Sequence, residues 1–183
     1  HPQFLPPVPE GGTPASDESR EMSYRLTILG CGSSGGVPRI GSMWGKCDPQ
    51  NPKNRRRRCA VMIERLGKSG ATRVLVDTPP DIREQLLDAR VDWIDGVVFT
   101  HDHADHTHGI DDLRMVAYAM KKRIDVWFDA PTRASLEQRF AYCFATPQGS
   151  SYTPILVSHD VVAGDDRPVP LAAARPGGRQ PPE

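Results

Sequence analysis

The 183 residues are enough for one domain of ordinary size. Lys and Arg total 23, as do Asp and Glu, so the net charge favours no class of partner. No apolar run is long enough to cross a membrane, and four widely spaced cysteines without a C-x-x-C pair predict reduced thiols in a cytoplasmic protein.

The charges are unevenly distributed along the chain. From Arg39 to Arg73 there are ten basic and two acidic residues, whereas from Asp77 to Asp112 there are ten acidic and two basic residues. A segment that attracts phosphate is therefore expected to precede a segment that attracts cations.

The first half of the chain predicts a strand, a long loop, a hairpin and a helix. Residues 1–22 are predicted to be disordered, because proline-rich segments with few large apolar residues cannot offset the entropy lost on ordering. Residues 24–29 alternate as a strand does and lead into a glycine-rich turn. The later elements are a loop over 37–58, strands over 59–64 and 72–77 joined by a turn at 68–70, and a helix from Pro79-Pro80 to about Arg90.

The second half predicts alternating strands and helices. The predicted elements are strands at 96–100, 124–128 and 155–159, with helices from Gly109 to about Lys121 and from Pro131 to Phe144. Residues 166–183 lose large apolar residues and gain Pro, Arg, Ala and Gly, so we expect a disordered or frameshifted tail there.

Four of the six histidines lie within eight residues, directly after the strand predicted at 96–100. The string His101-x-His103-x-Asp105-His106 supplies imidazole and carboxylate groups, which suit Zn, Mn or Fe. Its alternation is expected to point His101 and His103 to one position and Asp105 and His106 to a neighbouring one, which predicts two metal ions.

Two further features leave alternatives open. His108 lies just outside the string, either as an acid on the substrate side or as a residue at the helix entry. The run Arg55 to Arg58 is either a solvated charged segment or a phosphate-binding one. In an extended segment alternate side chains share a face, so Arg55 and Arg57 are the candidates for one phosphate.

The histidine string resembles the signature of the metallo-β-lactamase fold hydrolases. The segment from Leu26 to Pro38 is similar to that fold's first strand and glycine-rich loop, and Val74 to Asp77 to its strand ending in an aspartate. The segment from Trp44 through the arginine run is similar to the branch that contains the cyclic-phosphate phosphodiesterase of phosphonate breakdown.

The resemblance implies an α/β fold, the metallo-β-lactamase-like αββα sandwich, present mostly as its N-terminal half over residues 23–165. It implies two divalent metal ions, Zn or Mn with Fe as a further option, one held by His101 and His103 and the other by Asp105 and His106. Asp105 would also act on the nucleophile, and Asp77 would support the metal loop through hydrogen bonds without binding metal. The second half of the fold, with its further ligands, is missing from the pattern, so we expect a C-terminally truncated member.

The function implied is metal-dependent hydrolysis of a phosphodiester, a small cyclic phosphate, by water that two metal ions activate. One alternative is a tRNA 3′-processing-type endonuclease, with tRNA as its partner. Thioester or lactam cleavage is another, although the arginines argue against it. A third is an inactive truncated fragment that cannot hold its metals. The exposed sheet edge of an incomplete fold also predicts a homodimer.

Overall fold

The structure is a computed structural model of the chain, and it describes residues 23–68, 70–162 and 164. The strands are β1 (Ser23–Gly30), β2 (Ala60–Gly67), β3 (Gly70–Val76), β4 (Gly96–Val98), β5 (Ile124–Phe128) and β6 (Leu156–Asp160). They form one sheet in which the spatial order equals the order in sequence. β1, β2 and β3 pair antiparallel, and β3 to β6 pair parallel. The tails predicted at 1–22 and 166–183 lie outside the described residues.

Five helices connect these strands. They are α1 (Ile82–Asp88), α2 (Ala104–Thr107), α3 (Leu113–Met120), α4 (Ala130–Arg139) and α5 (Ala141–Phe144), with short 3-10 turns at Pro52–Asn54 and Ile110–Asp112. The α/β class predicted from the sequence is confirmed. Within the described residues, no helix has both the length and the apolar character needed to cross a membrane.

The helix predicted from Pro131 to Phe144 is wrong in its continuity. Asp129 begins α4 by accepting a hydrogen bond from Thr132 N at 2.9 Å. The chain leaves helical geometry at Phe140, where φ is −124° and ψ is 39°. The carbonyl oxygens of Cys143 and Phe144, at the end of α5, accept from Ile155 N and Arg123 Nη2, each at 2.9 Å. These bonds anchor the segments entering β5 and β6.

The two other predicted helices begin later than expected. Pro79-Pro80 does not open α1, which starts at Ile82. The residue before these prolines, Thr78, is bonded through its backbone N and O to the loop after β4. The helix predicted from Gly109 starts as the 3-10 turn Ile110–Asp112 and continues as α3. It ends at Lys121, which adopts a left-handed φ of 53°.

The core lies against one face of the sheet. Met62, Leu75, Val97 and Val126 are directly paired across β2 to β5, and each is at most 2% exposed. The same apolar cluster includes residues of four helices, namely Ile82 and Leu86 of α1, Leu113 and Ala117 of α3, Leu136 of α4 and Cys143 of α5. The described residues thus form one helical layer on one sheet.

The opposite face of the sheet is apolar and open over β1 and β2. Tyr24, Leu26 and Ile28 are 69%, 64% and 63% exposed, and Ile63, which pairs with Leu26, is 37% exposed. These alternate residues share one face because side chains along a strand alternate. We call this surface the open face.

Truncation of Leu75 tests where the core lies. Leu75→Ala removes a fully buried side chain between two paired neighbours and is expected to lower the free energy of unfolding by about 2–5 kcal/mol. The matched variant Leu87→Ala changes a side chain that is 57% exposed and should stay within about 0.5 kcal/mol of wild type. Urea unfolding followed by circular dichroism measures both, and equal losses would contradict this assignment of the core.

Candidate metal centre

The candidate site lies at the edge where the parallel strands end. β3 pairs with β4 so that Val76 lies opposite Val98. Asp77 follows Val76 directly, and Thr100 and His101 are the second and third residues after Val98. Because carboxyl ends of parallel strands share one edge of a sheet, residues distant in sequence meet there.

Asp77 connects β3 to the loop after β4. Its carboxylate accepts three hydrogen bonds, from Thr100 N at 2.8 Å, from Thr100 Oγ1 at 2.7 Å and from His106 Nδ1 at 2.7 Å. Asp77 is 3% exposed and has a left-handed φ of 62°. That conformation costs a non-glycine residue about 1–2 kcal/mol, so the three bonds hold a strained backbone in place.

The hydrogen-bond directions follow from the chemistry of a carboxylate, which only accepts. Thr100 Oγ1 must donate its proton to Asp77, so it accepts from His101 Nδ1, 2.9 Å away. His106 Nδ1 must likewise carry a proton to donate to Asp77. In the neutral form of each imidazole, Nε2 then carries no proton, and this is the form that binds a metal ion.

The four predicted ligands lie close together. The ring centroid of His101 is 4.7 Å from that of His103 and 4.1 Å from that of His106. Asp105 Oδ2 is 3.4 Å from His106 Nε2. This set of imidazole and carboxylate groups suits Zn, Mn or Fe. Among the residues that the structure describes, no group of three or more His, Cys, Asp or Glu side chains is arranged so that it could hold one metal ion.

Helix α2 is fixed by close backbone packing against the segment that follows Asp77. Thr78 N donates to His106 O, and Gly109 N donates to Thr78 O, each at 2.8 Å. A Cβ at Gly109 would overlap the carbonyl oxygen of Pro79 and the side chain of Ile82. Glycine is therefore required at this position for the histidine loop to reach its place.

Helix α4 holds the loop from the other side, a contact that the sequence did not reveal. Ser135 Oγ donates to Asp102 Oδ2 at 2.7 Å, and Arg139 Nη2 donates to the Asp102 carbonyl oxygen. The hydrogen bond from Ser135, helped by the charge of Arg139, keeps the pKa of Asp102 below its usual range. In the sequence, Ser135 and Arg139 are four residues apart and therefore lie on one face of a helix. Nothing near them in the sequence indicates that Asp102 is their partner.

The two remaining histidines of the described chain lie outside this cluster. His108 is exposed at the C-terminal end of α2, with its ring edge-on to Phe140 at 5.8 Å between centroids. His159 Nε2 lies 2.8 Å from Asp125 Oδ1, and its ring stacks on Trp127 at 4.9 Å. His159 thus has a bonded place on the sheet.

The arginines of the basic run have different partners. Arg57 Nη2 donates to Asp88 Oδ2 at 2.6 Å, and Arg58 Nη2 donates to Asp81 Oδ1 at 2.9 Å. Arg55 is exposed, and its guanidinium has no ion pair within the described residues. The structure therefore does not give Arg55 and Arg57 equivalent surroundings.

The basic run ends next to the histidine loop. Burial first, and then the negative charges of Asp77, Cys31 and Asp105, raise the pKa of the Cys59 thiol. Val61 of β2 pairs with Val76 of β3, so Cys59, which precedes β2, and Asp77, which follows β3, lie at the same end of this strand pair. The end of β1, the start of β2 and the histidine loop thus share one edge of the sheet.

Comparison with known families identifies this arrangement. The family model described as the beta-lactamase superfamily domain matches residues 72–180, more than half of the chain. The chain belongs to the beta-lactamase superfamily. The matched region includes most of β3, the histidine loop and strands β4 to β6.

Solved structures agree with this membership in the superfamily. A new diphosphatase from the PhnP family is 34% identical, with a TM-score of 0.62 over 76% of this chain and 50% of its own. Zn²⁺-bound PqqB from Methylobacterium extorquens is 16% identical, with a TM-score of 0.53 over 76% of this chain and 46% of its own. The first supports the metallo-β-lactamase fold and the predicted branch, and the second supports the fold alone.

A curated protein also matches part of this chain. The octanoyltransferase of Porphyromonas gingivalis (strain ATCC BAA-308 / W83) is 34% identical over 120 residues, which are 66% of this chain and 23% of that protein. The chain thus spans about a quarter of this relative and about half of the two solved structures.

Substitution of Gly109 tests the docking of α2. Gly109→Ala introduces a methyl group into occupied space and should lower the free energy of unfolding by about 1–3 kcal/mol. The control is Gly67→Ala, where the nearest atom to a new Cβ is Gly70 O at 3.9 Å, and its cost should be smaller. Thermal denaturation of the two variants measures the difference, and an unchanged melting temperature for Gly109→Ala would contradict the close packing.

Proposed function

We propose that this chain supplies the metal-binding part of a hydrolase that cleaves a phosphodiester in a small molecule. The observation that carries the proposal is the hydrogen-bond chain through Asp77 and Thr100, which leaves Nε2 of both His101 and His106 free to bind metal. The similarity to a PhnP-family diphosphatase, at 34% identity, supports phosphate chemistry.

The proposed ligands are those of the histidine string. His101 and His103 would hold one divalent ion, and Asp105 and His106 would hold the second. Zn and Mn suit these groups best, with Fe as a further option. Asp77 would act through His106, by fixing which ring nitrogen carries the proton and how the ring is oriented.

Each part of the site has a distinct task in the proposed reaction. Two divalent ions, when bound, lower the pKa of a water molecule and make it a nucleophile at neutral pH. Asp105 would orient the nucleophile and could accept its proton, a role open to a carboxylate; its Oδ2 lies 3.4 Å from His106 Nε2. His108, exposed next to the loop, would lie on the substrate side. The basic run Arg55 to Arg58, which directly precedes Cys59, would attract the phosphate before it reaches the histidine loop.

A small cyclic phosphate ester is the proposed substrate, in a cytoplasmic setting. The resemblance of the arginine segment and the similarity to a PhnP-family enzyme support this substrate. The setting follows from the cysteines: all four are free, and Cys31 and Cys59 are exposed. Exposed thiols persist in a reducing compartment.

Hydrolysis of bis-p-nitrophenyl phosphate tests the reaction class. The chain supplied with Zn²⁺ or Mn²⁺ is expected to release p-nitrophenol, and chelation by EDTA should abolish the release. His103→Ala removes a proposed ligand and should lower the rate about 100-fold or more, beyond the loss typical of a supporting residue. His159→Gln is the matched control and should retain the rate, because His159 bonds to Asp125 away from the loop.

Release of nitrophenol that survives EDTA, or equal loss in the two histidine variants, would argue against metal-dependent catalysis at this loop. Complete absence of hydrolysis by the metal-supplied chain would reject the proposed function for this chain.

The supporting role of Asp77 has its own readout in metal affinity. In Asp77→Asn, an amide NH₂ must face at least one of the donors on Thr100 or His106, because an amide keeps only one oxygen. Zinc affinity should fall about 10–100-fold, measured by equilibrium dialysis. Asp92→Asn alters a carboxylate that is 72% exposed and should leave zinc affinity unchanged. Unchanged affinity in Asp77→Asn would show that the carboxylate does not organise the ligands.

A further inference from the structure

A cysteine lies between two glycines at the end of β1, and both glycines touch the segment before β2. A Cβ at Gly30 would overlap the carbonyl oxygen of Arg58, and a Cβ at Gly32 would lie 2.7 Å from Arg57 O. Gly32 N also donates to Arg57 O at 2.7 Å. Cys31, the residue between these glycines, is therefore carried to the neighbouring segment by a backbone approach that only glycine allows.

The residue that lies opposite Cys31 in this approach is Cys59. Gly30 pairs with Ala60, the residue after Cys59, and Gly32 forms an isolated bridge with the residue before Cys59. Paired residues of a sheet have Cα atoms about 4.5–5.5 Å apart, and a disulfide joins Cα atoms about 4.4–6.8 Å apart. The backbone contacts on both sides thus hold the two cysteines within the range of a disulfide.

The segment that carries Cys59 is also fixed from the helical layer. Arg58 N donates to Asp81 Oδ2 at 2.9 Å, and Gln85 Nε2 donates to Arg58 O at 2.8 Å. Because Arg58 directly precedes Cys59, these bonds keep Cys59 beside the glycine-rich loop. A bond between the two sulfur atoms is therefore compatible with the strand register already in place.

Both thiols are reduced and accessible. Cys31 and Cys59 are free and exposed, whereas Cys47 is half-buried and Cys143 is buried. Burial first, then the charge of Asp77 and after it the charge of Cys31, raise the pKa of the Cys59 thiol. The contribution of Cys31 agrees with the register, because the interaction between two charges weakens with distance.

We propose that Cys31 and Cys59 form an oxidation site, at which a hydroperoxide converts the two thiols into one reversible disulfide. With hydrogen peroxide, one thiol is oxidised to a sulfenic acid while the O–O bond breaks and water leaves. The second thiol then attacks the sulfenic sulfur, the S–S bond forms, and a second water leaves. Two thiols thus lose two electrons and two protons, and one hydrogen peroxide becomes two water molecules.

The disulfide would tie the glycine-rich loop to the start of β2, at the end of the β2–β3 pair where Asp77 lies. Exposed disulfides are the labile ones, so a small thiol such as glutathione is expected to reduce this bond again. Because the thiols react without a metal ion, this site does not depend on the proposed function.

Peptide mapping of the whole chain, after exposure to hydrogen peroxide in the presence of EDTA, tests the oxidation site. The remaining thiols are alkylated in denaturant, and tryptic peptides are weighed without reduction. Trypsin places Cys31 in the peptide 26–39 and Cys59 in the peptide 59–65. Most chains are expected to yield these two peptides joined, lighter than their sum by two hydrogen atoms, with Cys47 and Cys143 alkylated. Glutathione should separate the two peptides again.

Cys47→Ser is the matched control, since it removes a thiol outside the opposed pair, and it should retain the joined peptides. Cys31→Ser should give no joined peptides within one chain. A wild type whose two peptides stay separate after peroxide, or whose Cys59 is joined to Cys47, would overturn the inference. A joined pair that glutathione does not separate would overturn its reversibility and show a structural disulfide.

Discussion

The site depends on one buried carboxylate in a strained backbone conformation. Asp77 leaves the end of β3 with a left-handed φ and accepts hydrogen bonds from Thr100 and His106, which belong to the segment after the next strand. Because a carboxylate only accepts, it also sets the proton positions on His101 and His106. Asp77 therefore helps to fix the position of the loop and the tautomer of two candidate ligands, His101 and His106.

Two other attachments hold the same loop from different directions. Gly109 permits a backbone approach that no larger residue would allow, and Asp102 is held by Ser135 and Arg139 of α4. These contacts come from segments before and after the loop in sequence. Together with the bonds to Asp77 they limit how far the ligands can rearrange, and such preorganisation lowers the cost of binding an ion.

Local patterns predicted most of the fold, and long-range partners limited the rest. β5 was predicted at its observed bounds because its apolar run has clear limits at both ends. The break at Phe140 was missed, since no glycine or proline near residue 140 marks it in the sequence. The histidine string is contiguous and could be recognised directly. The partners of Arg57 and Asp102 are 31 and 33 residues away, and no local signal identifies them.

The sequential order of the strands has a consequence for how the sheet is assembled during synthesis. Every strand from β2 to β6 pairs with the strand that precedes it in the chain, so the sheet grows at one edge and no strand is inserted between two others. Each pairing closes only the segment between two consecutive strands, so no pairing has to wait for a strand that comes later in the chain. As the ribosome releases the chain from its N-terminus, β1 to β3 can form before the histidine loop emerges. The end of β3, with Asp77, can then be formed when the residues that Asp77 must hold emerge.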